Sequence, residues 1–285
     1  MIKYIIDKFA EKMMTYNKAV ALLSEAGIEN AETDAAILFE HFAGIARHSL
    51  PFRRNEEIAN AELASALERR LKREPLQYIL GEWEFFGLRF ALNSDCLCPR
   101  PDTELIVELA LKNLPTRAHF CDIGTGSGAI AVSTAHYRKD TTAEAFDINE
   151  NALSAAAHNG TINGVSDRVR FTQADALAED FLDGKRFDAI LSNPPYIPAD
   201  VIPTLAPEVL LEPHRALDGG DDGLIFYRSI TKKAKTVLND GGFVLYEVGI
   251  GQAEDVAHIG EENGFTAEIY PDLAGIDRAV LLRKI

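Results

Sequence analysis

Cysteine and tryptophan are scarce in this chain. Its 285 residues include one tryptophan and three cysteines, Cys96, Cys98 and Cys121. Three thiols cannot build a disulfide framework, so we expect them to stay reduced in a cytoplasmic protein. The seven histidines are scattered, and none stands at ligand spacing from a cysteine. We therefore predict no metal site.

Long apolar runs are also missing. Although 47% of the residues are hydrophobic, no stretch approaches the roughly 18 apolar residues that a membrane-spanning helix requires. The opening MIKYIIDKFAEKMM carries charges throughout and has no small-residue cleavage site, so we expect no signal peptide. The composition is typical of a globular protein that does not associate with a membrane.

Positive charge is deficient in one part of the chain. The net charge is −15 overall. Residues 1–75 hold 11 basic and 12 acidic side chains, whereas residues 76–285 hold 18 and 32. Proteins that bind nucleic acid need clustered cations to displace the counterions of the phosphates. The acidic C-terminal part therefore disfavours direct binding to nucleic acid.

The first 75 residues have the pattern of a small helical bundle. Apolar residues recur at helical spacing in residues 16–26 and 33–42, and a glycine follows each run. Asn55 is placed to cap a third helix over residues 56–73, which is acidic early and rich in arginine late. We predict a helical domain over residues 1–75.

Strand patterns begin after residue 75. The stretch GEWEFFGLRFALN alternates and is aromatic, so residues 76–100 are predicted to hold a β-hairpin that links two domains. In residues 101–285, helix-like and strand-like runs alternate, which is typical of a doubly wound, mostly parallel sheet. Two final strands joined by LAGI are predicted to form an antiparallel pair. The predicted fold class is α/β.

A glycine-rich turn follows the first strand of this predicted sheet. Residues 121–128 read CDIGTGSG, a G-x-G-x-G spacing rather than the G-x-G-x-x-G of many dinucleotide sites. Glycines let the backbone turn tightly and approach a ligand closely. The candidate cofactor-binding residues of this turn are Asp122, Gly124, Thr125, Gly126, Ser127 and Gly128.

Acidic residues end the next two predicted strands. Asp147 can accept hydrogen bonds from both hydroxyls of a ribose, and the Asp175 carboxylate can meet an adenine edge at the same rim of the sheet. A dinucleotide would need its pyrophosphate at the helix N-terminus. S-adenosylmethionine has no phosphate, and its ammonium group could pair with Asp122. The G-x-G-x-G spacing and the preceding acid favour S-adenosylmethionine.

The fourth predicted strand ends in FDAILSNPPYIP. Two adjacent prolines end a strand and give up two backbone donors. The Asn193 side-chain oxygen and the Pro194 carbonyl, aimed by the rigid rings of Pro194 and Pro195, could accept both hydrogens of a planar –NH2 group. Tyr196 could stack on that group. These four residues are the candidate catalytic and substrate-binding residues, and Asn193 also lies on the predicted cofactor rim.

Such a site needs no strong general base. Holding an acceptor nitrogen roughly 3–3.5 Å from a sulfonium methyl makes transfer nearly unimolecular. Drawing the N–H hydrogens toward oxygens stabilises the positive charge that develops on nitrogen. The motif therefore predicts methylation of an amino or amide nitrogen.

Several longer stretches carry a family resemblance. They are EPLQYI with Gly81, EFF, PRPDTE, DIGTGSGAIA, SNPPYIP, Glu212-Pro213 with Ala216-Leu217, Gly219-Gly220, DGL, EVGIGQ and GIDR. On these stretches the chain resembles S-adenosylmethionine-dependent methyltransferases with an N-P-P-Y motif. More closely, it is similar to the family that methylates the N5 nitrogen of a glutamine in class 1 peptide chain release factors. The resemblance runs from about residue 16 to the C-terminus.

The resemblance implies both a fold and roles for residues. The fold is a Rossmann-like class I methyltransferase domain over residues 101–285, with a seven-stranded, mostly parallel sheet, and an N-terminal helical domain that helps to grip the release factor. Residues 124–128 and Asp147 would bind the cofactor, and Asp175 and Ala176 would flank its adenine. Residues 193–196 would hold the glutamine amide of a Gly-Gly-Gln loop. Some members have an aromatic residue at the position of Ala176, which this chain lacks.

Two other functions stay open from sequence alone. An N6-adenine or other nucleic-acid amino-methyltransferase would share the N-P-P-Y motif, but the acidic catalytic part and the lack of a basic target domain oppose it. A nucleotide- or cofactor-binding module without catalysis is another, as is an NAD-dependent dehydrogenase. A dehydrogenase should have an acid or base beside the nicotinamide, and no candidate for it is apparent.

Overall fold

The chain forms two compact units in the computed structural model, which describes residues 13–285. The expectations for residues 1–12, including the absence of a signal peptide, lie outside this described part. The first unit contains residues 13–81 and Pro207–Leu211, and the second contains Glu82–Ala206 and Glu212–Ile285. Within residues 13–285, each helix is too short or too polar to cross a membrane.

The first unit is helical. Its helices are α1 (Tyr16–Glu25), α2 (Ala31–Ala43), α3 (Ala61–Leu71) and α4 (Leu76–Leu80), with a 3-10 helix at Arg47–Phe52. Gly27 and Gly44 follow α1 and α2 with φ of +77° and +66°, as the sequence predicts for the ends of these helices. Buried side chains of the first three helices form its core, among them Ala19, Leu23, Leu38, Phe39, Leu63 and Leu67.

The third helix begins later than predicted, so its predicted start and cap are wrong. Asn60, not Asn55, caps α3 by accepting a hydrogen bond from the Leu63 nitrogen at 2.8 Å. Ile58 pairs with Met14 in an antiparallel bridge, with both backbone hydrogen bonds at 2.9 Å. Because this bridge needs extended backbone before residue 60, the chain cannot become helical at residue 56.

A distant segment completes the first unit through ion pairs. Arg70, 7% exposed, contacts Asp34 Oδ2 at 2.7 Å and Glu208 Oε1 at 3.0 Å. The other Glu208 oxygen contacts Arg73 Nη2 at 2.8 Å. We call Asp34, Arg70, Arg73 and Glu208 the Arg70 cluster. The sequence pattern did not indicate that Pro207–Leu211 belongs with residues 13–81.

The second unit opens with the predicted hairpin. Strands β1 (Glu82–Phe85) and β2 (Leu88–Ala91) pair antiparallel across the two-residue turn Phe86-Gly87. Both turn residues have positive φ, +51° and +71°, which matches the right-handed twist of the strands. The hairpin prediction is confirmed.

The second unit continues as a sheet covered by helices. Its strands are β3 (His119–Ile123), β4 (Thr142–Asp147), β5 (Val169–Gln173), β6 (Phe187–Ser192), β7 (Leu238–Glu247), β8 (Phe265–Pro271) and β9 (Asp277–Lys284). Its α-helices are α5 (Glu104–Asn113), α6 (Ala129–Tyr137), α7 (Glu150–Ile162), α8 (Ile225–Val237) and α9 (Ala253–Glu262). The described chain thus has a seven-stranded sheet in the order β5-β4-β3-β6-β7-β9-β8, in which only β9 runs antiparallel to its neighbours. The predicted α/β fold and terminal antiparallel pair are confirmed.

The strand order reverses between β3 and β6. The chain moves outward from β3 to β4 and β5, then returns to place β6 on the other side of β3. Ile123 pairs with Ser192 at the carboxyl ends of these two strands, and the Ser192 hydroxyl donates to the Ile123 carbonyl at 2.6 Å. Open α/β sheets bind ligands at such a reversal. The glycine turn and Asn193 therefore start side by side.

Candidate active site

The glycine turn between β3 and α6 has the backbone that its sequence requires. Gly124, Gly126 and Gly128 have φ of +72°, +54° and +83°, a region that favours glycine. A Cβ at Gly128 would lie 3.1 Å from Ala156 Cβ, whereas a Cβ at Gly126 would meet no heavy atom within 4 Å. Gly128 thus permits helix packing, while Gly126 borders open space.

Asp122 lies beneath this turn and is fully buried. Its Oδ2 accepts hydrogen bonds from the Thr125 hydroxyl at 2.6 Å and from the Ala131 nitrogen at 3.1 Å. Within the described chain, Oδ1 has no hydrogen-bond partner. Burial raises the Asp122 pKa to about 7, against the lowering effect of its two donors. The carboxyl group therefore holds the turn in shape and keeps one oxygen uncommitted.

Asp147 ends β4 and closes the turn from the other side. Its Oδ2 accepts from the Gly126 nitrogen and its Oδ1 from the Asn149 nitrogen, both at 2.8 Å. Burial raises its pKa, and the backbone donors oppose that shift. Because each carboxylate oxygen can accept more than one hydrogen bond, Asp147 keeps acceptor capacity for hydroxyl groups of a ligand.

A cavity of about 370 Å³ opens at the carboxyl ends of the strands, within the usual volume range of small-molecule sites. Eight of the predicted site residues line it: Gly124, Gly126, Asp147, Asp175, Ala176, Asn193, Pro194 and Pro195. A smaller cavity, of about 50 Å³, shares Gly124, Gly126 and Asn193 with it and adds Thr125 and Ser127. Asp122, Gly128 and Tyr196 line neither of these two cavities.

Several residues that line the larger cavity were not anticipated from sequence. They include the aromatic side chains of Phe146, Phe181 and Phe226, and the segment Pro213 to Ala216. Phe146 and Phe181 pack edge to face, with ring centroids 5.5 Å apart. The three aromatic residues lie on a strand, a loop and a helix, so no local spacing in the sequence could have grouped them.

The buried side chain of Glu212 holds in place the start of the lining segment, Pro213 to Ala216. Glu212, 5% exposed, accepts from the Cys98 nitrogen at 3.1 Å and forms an ion pair with Arg100. Burial raises the Glu212 pKa, while Arg100 and the Cys98 N–H oppose the shift. The Pro-Arg-Pro and Glu-Pro stretches of the sequence thus meet in space. Their contact fixes one wall of the cavity.

The Asn193-Pro194-Pro195-Tyr196 segment lies at the end of β6. The Asn193 Nδ2 atom donates to the Thr103 hydroxyl at 3.2 Å. With its nitrogen committed in this way, the amide can present its oxygen to a ligand. Gln252 Nε2 donates to the Tyr196 carbonyl at 3.0 Å, and burial raises the Tyr196 pKa to about 12. Tyr196 therefore stays neutral near pH 7.

Two glycines pack closely against the backbone of this segment. A Cβ at Gly219 would lie 2.8 Å from Tyr196 Cα, and a Cβ at Gly223 would lie 2.3 Å from the Tyr196 carbonyl oxygen. No side chain fits at either position without moving the segment. The Gly219-Gly220 and Asp222-Gly223 stretches thus support the Asn-Pro-Pro-Tyr backbone by close approach.

Two protein families match parts of this chain. Residues 15–81 match the family described as PrmC N-terminal domain, and residues 102–241 match the family described as Methyltransferase small domain. The second match agrees with the methyltransferase fold class implied by the sequence resemblance.

The chain is similar to curated proteins over most of its length. It is 42% identical to the Release factor glutamine methyltransferase of Geobacter sulfurreducens over 266 residues, which cover 90% of this chain and 91% of the relative. It is 37% identical to the protein of the same name from Fusobacterium nucleatum over 282 residues, which cover 96% of this chain and 79% of the relative.

A solved structure has a similar fold. The crystal structure of a methyltransferase from Pyrococcus furiosus matches with a TM-score of 0.55 and 20% identity, and the match covers 70% of this chain and 90% of that one. At this level of identity the similarity concerns the fold alone.

Proposed function

The chain belongs to the release factor glutamine methyltransferase family, and from this premise we propose that it methylates the N5 nitrogen of the glutamine in the Gly-Gly-Gln loop of class 1 release factors, with S-adenosylmethionine as methyl donor. The observation that carries this proposal is the position of Asn193 beside the glycine turn. The site for a planar –NH2 group and the site for the methyl donor then lie at the same edge of the sheet.

The larger cavity fits a nucleoside with a charged tail. Its lining combines an acid with spare acceptor capacity, Asp147, with the aromatic side chains of Phe146, Phe181 and Phe226. Asp147 would bind the ribose hydroxyls, and Asp175 and Ala176 would border the adenine. The open space at Gly126 leaves room for the rest of the molecule, and Asp122, buried beneath the turn, would attract a cation through its charge rather than by contact. When bound, S-adenosylmethionine supplies an electrophilic methyl group.

The protein's own part in the reaction is to hold the acceptor. Asn193 Oδ1 and the Pro194 carbonyl would each accept one hydrogen of the glutamine –NH2 group, which sets the plane of the amide and the direction of its nitrogen. The same two oxygens stabilise positive charge on that nitrogen as it forms a bond. Tyr196 would pack against the amide plane. Water can take the released proton afterwards.

The residues assigned above to the reaction lie outside the helical first unit, and we propose that this unit contributes to the binding of the release factor. The support is that residues 15–81 match a family of their own, described as PrmC N-terminal domain. The near-neutral charge of residues 1–75 sets this part apart from the acidic remainder.

Labelled S-adenosylmethionine tests the proposed reaction. The protein is incubated with a class 1 release factor, and in parallel with the same factor carrying Gln→Ala in its Gly-Gly-Gln loop. We expect label only in the unchanged factor, and mass spectrometry should place one methyl group on that glutamine. Equal labelling of both factors, or of neither, would refute the proposal. Labelling of DNA or RNA that high salt suppresses would instead favour a nucleic-acid substrate.

The variant Asn193→Ala tests where the chemistry occurs. We expect turnover to fall by about 10²–10³-fold, as for loss of a donor or acceptor at a developing charge. The affinity for S-adenosylmethionine should stay within a few-fold, because Asp147 and the aromatic lining remain. Unchanged turnover would place the acceptor site elsewhere.

A further inference from the structure

One buried acid beside the candidate active site has no role in the reaction described so far. Glu247 ends β7, next to β6, and is 2% exposed. Ser192 pairs with Tyr246 across these parallel strands, so Glu247 and Asn193 are the next residues on each. A carboxyl group is costly to bury without partners. Its presence at this position therefore calls for a function.

The Glu247 carboxyl is linked to Asn193 through Thr103. Asn193 Nδ2 donates to the Thr103 hydroxyl at 3.2 Å, and hydrogen bonding from the Thr103 and Asn193 side chains lowers the pKa of Glu247 against the effect of burial. Thr103 is 4% exposed. Within the described chain, the second carboxyl oxygen, Oε2, has no hydrogen-bond partner. The interactions with Thr103 and Asn193 therefore involve the other oxygen, Oε1.

This arrangement decides which way the Asn193 amide points. A carboxylate and a hydroxyl that donates to it offer only acceptor sites to Asn193, so they can bind its –NH2 end but not its oxygen. The amide oxygen must then face the opposite direction. If the amide rotated by half a turn, its oxygen would face the carboxylate and would lose both hydrogen bonds.

We propose that Glu247 is a positioning residue for methyl transfer: with Thr103 it fixes the orientation of the Asn193 amide, so that Nδ2 faces inward and Oδ1 faces the acceptor –NH2 group. This inference rests on the proposed function for the identity of the acceptor. The orientation of Asn193 can be measured separately from activity. Glu247 does not touch the reacting atoms, so its effect passes through Asn193.

Charged neighbours set the protonation of Glu247. Burial raises its pKa to about 7, and the Thr103 hydrogen bond and the Arg278 guanidinium are the main influences that lower it, while Asp102 raises it. Tyr196 and Tyr227 are also close enough to interact with it, and the Tyr227 hydroxyl donates to its backbone carbonyl at 2.9 Å. Above about pH 7 the carboxylate accepts from both donors. Below that pH the protonated group loses acceptor capacity.

Kinetics of Glu247→Gln and Thr103→Val test the inference. Both substitutions conserve shape, and each removes part of the acceptor chain. We expect kcat on the release factor to fall by about 10- to 100-fold, as for a misplaced reacting group, with the KM for S-adenosylmethionine within about twofold. Thr103→Ser should restore most of the activity. The double variant should lose no more than the worse single variant, because the two residues act as a unit.

A control variant removes a strand carboxylate that lies away from the site. Glu144 lies on β4, is half-buried and pairs with Lys185 at 2.6 Å, away from the two cavities. Glu144→Gln should leave kcat and its pH profile unchanged. Circular dichroism of all variants confirms that they are folded. A kcat for Glu247→Gln within twofold of the wild type would overturn the inference.

The pH profile gives a second readout. At saturating cofactor and release factor, wild-type kcat should fall as the pH drops through about 7, and Glu247→Gln should lack this step. Asp122 has a similar pKa, but it acts on the glycine turn, so saturating cofactor removes its effect from kcat. An identical step in Glu247→Gln would contradict the proposed role.

Nuclear magnetic resonance reports the orientation without activity. In protein labelled with 15N at asparagine, the Asn193 side-chain signals are identified by their loss in Asn193→Ala. We expect them to shift as the pH passes through about 7 in the wild type and to be insensitive to pH in Glu247→Gln. If the release factor is not methylated but this shift occurs, the proposed function fails and the positioning stands. If methylation occurs and the signals do not depend on Glu247, the positioning alone fails.

Discussion

The Asp147 carboxylate accepts a hydrogen bond from the Gly126 backbone nitrogen at 2.8 Å. This contact joins the tip of β4 to the turn that follows β3. It orients one carboxylate oxygen toward the turn, while the Asn149 nitrogen orients the other. Asp147 also lines the cavity of about 370 Å³.

Asp147→Asn should weaken the binding of S-adenosylmethionine. An amide has one oxygen, so its nitrogen would face one of the two backbone donors, and one acceptor for a ribose hydroxyl would be lost. A hydrogen bond to a charged group contributes about 1.5–3 kcal/mol, so we expect the Kd from isothermal titration calorimetry to rise about 10- to 100-fold. Asp167→Asn is the control, because the Asp167 side chain is 79% exposed. A Kd for Asp147→Asn equal to that of the control would contradict the assigned role.

Gly223→Ala should impair turnover more than stability alone explains. Its Cβ would lie 2.3 Å from the Tyr196 carbonyl oxygen and would force the Asn-Pro-Pro-Tyr backbone to move. Because a displacement of about 1 Å can cost about 10²-fold in rate, we expect kcat to fall by about 10- to 100-fold, while the Kd for the cofactor changes less.

Gly241→Ala is a matched control for Gly223→Ala. Both glycines have φ of +74°, but a Cβ at Gly241 would meet no heavy atom within 4 Å. The shared backbone strain should therefore destabilise both variants by about 1–2 kcal/mol, and only Gly223→Ala should lose turnover. Equal kcat values for the two variants would show that the close approach to Tyr196 does not matter.

The rim of the sheet could be predicted from sequence because it depends on local patterns. Gly124 and Asn193 each follow a strand-like run and Asp147 ends one, and parallel strands bring their carboxyl ends to one edge. No tertiary information is needed for that step. The start of α3 was predicted wrongly because Ile58 forms a bridge with Met14, which lies far earlier in the sequence.

Other features depend on contacts that no local pattern reveals. In the sequence, Glu247 is only the polar last residue of a strand-like run. The pairing of β6 with β7 places it next to Asn193. Glu208 is one acid in a loop, and its partners Arg70 and Arg73 lie more than a hundred residues earlier. The tight packing of Gly219 against Tyr196 likewise appears only in three dimensions.

The pH dependence of stability should reveal the buried acid beneath the glycine turn. Burial raises the pKa of Asp122 from 3.8 to about 7. Between those values the folded protein keeps a proton that the unfolded chain has released, so this group favours the folded state less as the pH rises toward about 7. Stability should therefore fall with rising pH across this window.

Asp122→Asn isolates this contribution. The carboxamide keeps an oxygen for the Thr125 and Ala131 donors but cannot ionise. One pKa unit corresponds to about 1.4 kcal/mol, so the wild type should lose a few kcal/mol more than the variant between about pH 4 and about pH 8, measured by urea unfolding. Parallel pH dependences of the two proteins would show that Asp122 does not ionise in this range.

Glu208→Gln should destabilise the first unit. Glu208 gives one oxygen to Arg70 and the other to Arg73, and Arg70 is 7% exposed. Loss of the negative charge leaves the buried guanidinium with Asp34 as its remaining carboxylate partner in the Arg70 cluster. Breaking a buried pair costs up to about 3–5 kcal/mol, and a half-buried one costs less. We expect the free energy of unfolding to fall by about 1–3 kcal/mol.

Limited proteolysis gives a local measure of the same change. Leu210 and Leu211, 45% and 50% exposed, follow Glu208 in the segment that the cluster holds. Cleavage within Pro207–Leu211 should therefore be faster in Glu208→Gln than in the wild type. Glu56→Gln is the control, because its pair with Arg53 is exposed and such pairs contribute less than about 1 kcal/mol. If the two variants unfold at the same urea concentration and are cleaved at the same rate, the Arg70 cluster does not hold this segment in place.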